Sequence, residues 1–105
     1  MSGATFLGYL LSGVLLVNGV PHFVKGITGQ RHMTLFERSS SAPFNVVYGT
    51  TNFAMGYALL RRTTACDEGG DPTPRALALG LGGLLIGVTL AAFWSDPNAK
   101  LPWHD

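Results

Sequence analysis

Three apolar runs, Ala4–Val24, Phe44–Leu60 and Ala76–Trp94, carry no Lys, Arg, Asp or Glu, and together they take up most of a 105-residue chain. An α-helix rises 1.5 Å per residue, so roughly 17–25 apolar residues cross the hydrocarbon layer of a bilayer, and each run meets that length. The charged residues, 12 % of the total, fall almost wholly in the connections and the tail. This layout predicts an all-α integral membrane protein with three transmembrane helices at about residues 4–24, 44–60 and 76–94. They form a single membrane domain over residues 1–105, with no room for a separate soluble one.

A water-soluble helical reading needs a polar face that returns every three or four residues. Leu77–Leu90 offers none, being built only of Leu, Ala, Gly, Ile, Val and Thr. The formal net charge of +1 gives no basis for nucleic-acid binding. A cleaved signal peptide is disfavoured for the first run, because no Lys or Arg precedes it and it ends in Asn18-Gly19-Val20-Pro21-His22. Cys66 is the sole cysteine, which excludes an intramolecular disulfide.

Along the chain, the first span begins near Ala4 without an evident polar cap, and Pro21 is expected to kink or end it. Residues 26–41 form the first loop. In it Met33, Leu35 and Phe36, flanked by Arg31, His32, Glu37 and Arg38, suit a short interfacial segment in the headgroup zone. Ser41 caps the second span with Pro43 in its first turn, and Arg61 and Arg62 close it as interfacial anchors that reach phosphates. Thr73-Pro74 is the expected opening of the third span, and Trp94 its interfacial end, with Trp103 a second anchor in the tail. Arg61, Arg62 and Arg75 lie on one side and Lys25, Arg31, Arg38 and Lys100 on the other, a near balance that leans towards an inside amino terminus.

Few polar side chains interrupt the runs, and lipid cannot pair with them. Asn18 and His22 are four apart and share one helical face; Asn45, Tyr48 and Asn52, spaced three and four apart, share another. The expected arrangement is a polar intramembrane cluster where these two faces meet, serving as hydrogen-bonded glue or as the lining of a pathway. In the third run Gly80, Gly83, Gly87 and Ala91 make a stripe of small residues suited to close helix packing, within one chain or between chains. His22 could bind a haem iron or relay a proton, but His32 and His104 fall outside the spans and no Cys/His cluster offers zinc its three or four ligands. Accordingly no metal, no cofactor and no catalytic residue is expected, with haem through His22 as the alternative.

The stretch Asn18-Gly-Val-Pro-His-Phe-Val-Lys-Gly-Ile-Thr-Gly29, followed by Phe44-Asn-Val-Val-Tyr-Gly-Thr-Thr-Asn-Phe53, resembles a group of small bacterial integral membrane proteins of unknown function that carry an Asn-Gly-x-Pro-His-Phe motif. The layout is also loosely similar to DoxX-like membrane proteins, which usually have four spans. The resemblance covers the amino-terminal half, implies a multi-span protein of the bacterial inner membrane, and marks Asn18, Pro21, His22, Gly49 and Asn52 as motif positions. It implies no reaction. Small multidrug-type exporters are similar in length but depend on an acidic residue within a span, and this chain has none.

The resulting expectation is a non-enzymatic, helix-packing accessory subunit of a larger membrane complex, or a homo-oligomer. Its partners would be the lipid bilayer and other membrane subunits or copies of itself, with no nucleic acid. A transporter or channel subunit lined by Asn18, His22, Asn45, Tyr48 and Asn52 is the second expectation, and a redox accessory acting through His22 the third.

Overall fold

A computed structural model describes residues 1–104 as three helices, α1 (Gly3–Ile27), α2 (Ala42–Cys66) and α3 (Pro72–Trp94). No strand occurs among the described residues. The connection between α1 and α2, where the short interfacial segment is expected, is an irregular loop with a single antiparallel bridge between His32 and Ser40.

Local chemistry sets the helix ends. Ser2 caps α1, its hydroxyl accepting from the Thr5 amide at 3.1 Å, so the helix has the polar cap that the apolar run itself does not announce. Pro21 lies inside α1 and does not end it. Proline fits helical φ and costs mainly the hydrogen bond that its missing N–H would give to Val17, and packing against α2 on both sides of it, at Gly19 and Gly26, holds the helix together. The true stop is Gly29, in the left-handed region at φ 76°. Gln30 then donates to the Lys25 carbonyl at 2.9 Å and Gly29 to that of Gly26 at 3.1 Å, the paired bonds of a Schellman ending.

Ser41 caps α2 through the Phe44 amide at 3.2 Å. With no breaker before Gly69, α2 runs past Leu60 to Cys66. Asp71, not Thr73, caps α3: its carboxylate accepts from the Thr73 amide at 2.9 Å and Pro72 takes the first helical position.

α1 is the middle of the molecule. It packs on α2 and on α3, whereas no Cα of α2 comes within 8 Å of one in α3. Close approach on both sides relies on glycine. A Cβ on Gly49 would meet the Phe23 amide nitrogen at 2.7 Å and the Gly19 carbonyl at 2.8 Å, and one on Gly26 would meet the Val46 nitrogen at 2.7 Å. On the other side Gly13 faces the Leu79 backbone, Gly82 faces the Leu10 backbone, and Ala78 is buried between the helices. The order of the α1–α2 contacts makes α2 antiparallel to α1, while Arg75 beside Tyr9 at one end and Thr89 and Phe93 around one cleft with Asn18 and His22 at the other make α3 parallel to it.

Of the α3 stripe named from the sequence, only Gly83 enters this interface, where a Cβ would meet Val17 at 2.8 Å. Gly80 and Gly87 have nothing within 4 Å of a Cβ position and Ala91 is exposed. The α1-facing positions are instead Ala78, Gly82 and Gly83, because α3 turns Leu77, Leu81, Leu84, Leu85 and Val88 outward. Even in the most apolar stretch of α3 only 11 % of residues are buried, unlike a helix from the core of a soluble protein. Two helices, α1 and α3, are long and apolar enough to cross a membrane.

At the end where α1 begins, a polar knot ties all three helices. The Tyr9 hydroxyl donates to Asp67 Oδ2 at 2.9 Å, and Arg75 reaches the same oxygen at 3.5 Å while lying 5.8 Å from the Tyr9 ring centre. The Gly69 amide and the Tyr9 hydroxyl, with Arg75 beside them, hold the Asp67 carboxyl below its ordinary value.

Gly49→Ala should lower unfolding stability by roughly 1–3 kcal/mol, since backbone on α1 cannot move aside as a side chain could. Gly80→Ala should be neutral or up to about 1 kcal/mol stabilising. Denaturant unfolding in detergent followed by circular dichroism compares the two directly, and equal effects would contradict the packing described.

Candidate functional site

The opposite end, where α1 finishes and α2 starts, gathers most of the buried polar side chains. α1 contributes Asn18 and His22, one turn apart. α2 contributes Asn45, Tyr48 and Asn52 from the face turned to α1, and the Thr28–Ser41 loop folds over both.

Asn45, fully buried, is the hub. Its Nδ2 donates to the carbonyls of His32 (3.0 Å), Ser40 (3.1 Å) and Ser41 (3.0 Å). Those three oxygens can only accept, which fixes the orientation of the carboxamide and turns Oδ1 towards His22 Nδ1 at 2.9 Å. Since Oδ1 is an acceptor, His22 Nδ1 carries a proton and Nε2 is the free position of the neutral ring. Nε2 makes no hydrogen bond among the described residues. One turn down, Asn18 Nδ2 donates to Asn52 Oδ1 at 3.1 Å, and Asn52 Nδ2 donates to the Tyr48 carbonyl at 2.9 Å.

Aromatic rings surround His22. Tyr48 stands edge-on to it at 4.5 Å between ring centres, and His32 lies 5.1 Å away on the loop side. His32 in turn rests on Trp94 at 4.5 Å. The tail completes the cover: Trp103 Nε1 donates to the Leu35 carbonyl at 2.6 Å, and His104 Nε2 donates to the Thr34 carbonyl at 2.9 Å. Below this cover is a cleft of about 270 Å³. Asn18 and His22 form its floor, Tyr48 one wall, and Thr89, Leu90, Phe93 and Trp94 the other; Met33, Thr34, Leu35 and Leu101 close the top.

Of the residues singled out from sequence, Asn18 meets Asn52 and His22 meets Asn45, while Tyr48 touches His22 through its ring. Arg61 and Arg62 are exposed at the far end, Arg61 donating to the Tyr57 hydroxyl at 3.1 Å. Trp94 and Trp103 both lie at the loop end. His32 and His104 fall outside the apolar runs, and nothing in the sequence marks them as site residues. Loop closure nevertheless carries His32 onto His22, and the tail lays His104 on the loop. Only the shared presence of two histidines ten residues apart around a Gly-rich turn hints at the first contact. The two imidazoles amount to two ligands, and no group of three or more His, Cys, Asp or Glu placed to hold a metal occurs among the described residues. The chain matches no protein-family model, no curated protein and no solved structure.

The environment of His32 has a measurable consequence. Burial above all, then the neighbouring His22 ring and the Lys25 ammonium, pushes its imidazole from 6.5 down to about 4. Its Nε2 is buried without a hydrogen-bond partner. The folded protein therefore binds this proton less readily than the unfolded chain does. The contribution of His32 to stability is full above pH 6.5 and is lost as the pH falls towards 4. Unfolding measured from pH 7.5 to pH 4 should show declining stability, with a shallower slope in His32→Gln; parallel slopes would contradict the assignment.

Proposed function

We propose that this chain is a three-span integral membrane protein, of the bacterial inner membrane, that works by helix packing and has no reaction of its own. It is either an accessory subunit of a larger membrane assembly or a homo-oligomer. The observation that carries the reading is the direction of the helices. α1 and α3, the two apolar enough to cross, run parallel, so a chain that crosses twice in the same direction must return between them, and α2 is the helix between them. The lower hydropathy of α2 has a local source. Asn45 and Asn52 are buried and Tyr48 lies against His22, while Val47 and Met55 are exposed on its outer surface.

The polar cluster supports a packing role over a transport pathway. Asn18 pairs with Asn52 and Asn45 with His22 and three carbonyls, so the bonds of this cluster tie helix to helix and helix to loop. In membrane helices such bonds are worth roughly 0.6 kcal/mol each, enough to fix register. The cleft adjoins one end only. With no Cα of α2 within 8 Å of one in α3, the two helices flank α1 without closing a bundle around it, and lipid or a further helix covers the open sides.

Two measurements test this reading. Cys66, exposed at the end of α2, and a cysteine introduced as Ser39→Cys in the Cys66→Ser background should react with a membrane-impermeant thiol reagent from opposite sides. Labelling of both from one side would overturn three spans. Native mass spectrometry from mild detergent should show a homo-oligomer or heavier subunits travelling with the chain; a lone monomer at all concentrations would overturn the packing role.

A further inference from the structure

We infer that the cleft over Asn18 and His22 is a binding site for an uncharged, single-chain amphiphile whose headgroup carries a free hydroxyl. The inference goes beyond the packing role and stands on the cleft's chemistry. At about 270 Å³ the space suits a small headgroup with the start of a chain, and is small for a two-chain lipid. No Lys, Arg, Asp or Glu lines it, so neither a phosphate nor an ammonium headgroup would find a counter-charge.

The His22 ring in the floor carries a specific demand. The three backbone carbonyls that orient Asn45 put the proton on His22 Nδ1, which leaves Nε2 as a lone-pair acceptor of the neutral ring, and His22 is among the residues that line the cleft. An acceptor in an apolar recess is satisfied by an O–H donor. A carboxylate would set lone pair against lone pair, and an ether would leave it unpaired. Thr89, which also lines the cleft, spends its hydroxyl proton on the Leu85 carbonyl at 2.7 Å and so offers no donor of its own there.

The chain of the amphiphile has a way out. Leu90 and Phe93 line the α3 wall, and the α2 and α3 backbones stay more than 8 Å apart, so an acyl tail can run between them to the outside of the helix layer. Trp94, at the helix end, places the headgroup at the depth where tryptophan rings settle in a bilayer.

Trp94 also provides the readout, since the only other tryptophan is Trp103, outside the cleft lining. In Trp103→Phe protein held in detergent, a monoacylglycerol brominated on its acyl chain should quench Trp94 saturably, at one molecule per chain by native mass spectrometry. Its dimethyl ether, and the brominated fatty acid at pH 8, should bind at least tenfold more weakly. Thr89→Phe, which fills the cleft from an already satisfied position, should weaken monoacylglycerol binding at least tenfold. Quenching that rises linearly without saturation would overturn the site, and equal binding of the free and ether-blocked headgroups would overturn the hydroxyl assignment. If Thr89→Phe does not fold, the headgroup comparison on the Trp103→Phe protein decides alone.

Discussion

A carboxamide whose nitrogen and oxygen are both engaged leaves little freedom to whatever it touches, and Asn45 is such a group at the point where α1, α2 and their connecting loop converge. Its two N–H bonds are shared among three carbonyl oxygens and its own oxygen takes the proton of His22. In an apolar setting each of those partners would be costly to leave unpaired, so the loop closes where the carboxamide holds it. The consequences run outward. Loop closure sets His32 on His22 and against Trp94, and gives the tail the carbonyls of Thr34 and Leu35 to bond. The same orientation fixes the His22 tautomer, and with it the chemistry of the cleft.

The rest of the architecture follows from α1 being approached on two sides. Gly19 and Gly26 admit α2 and Gly13 admits α3, so the helix backbones come close enough for dispersion contact where larger side chains would hold them apart. Three helices arranged this way cannot enclose a core. Tyr9, Met33 and Ala78 are the only buried hydrophobic residues among those described. The apolar residues mostly face outward, the inverse of a soluble bundle, and the polar ones are tied up at the two ends: Asn45 with His22 at one, Asp67 with Tyr9 and Arg75 at the other.

The helices and the pairing of their polar faces were legible because both depend on local period: charge-free runs of sufficient length, and polar residues three or four apart. Other features depend on distant partners, and no period reveals them. Pro21 reads as a helix end in sequence, yet α1 continues because its flanking glycines are packed on α2. The α3 contacts fall on Ala78, Gly82 and Gly83, since the choice among several glycines is made by which face α1 receives, and Gly80, Gly87 and Ala91 look outward. His32 and His104 sit in polar segments that carry no sign of folding back. The lower apolar content of α2 likewise makes sense only once Asn45, Tyr48 and Asn52 are seen to face α1.

The claim that one side chain secures the loop end is tested most directly by amide hydrogen exchange in Asn45→Ala beside the unaltered protein. The amides of His32, Thr34 and Ser40 are hydrogen-bonded within the loop. They should lose at least tenfold protection while α3 keeps its own. Unchanged protection in the loop, or an equal loss spread over α3, would contradict the account.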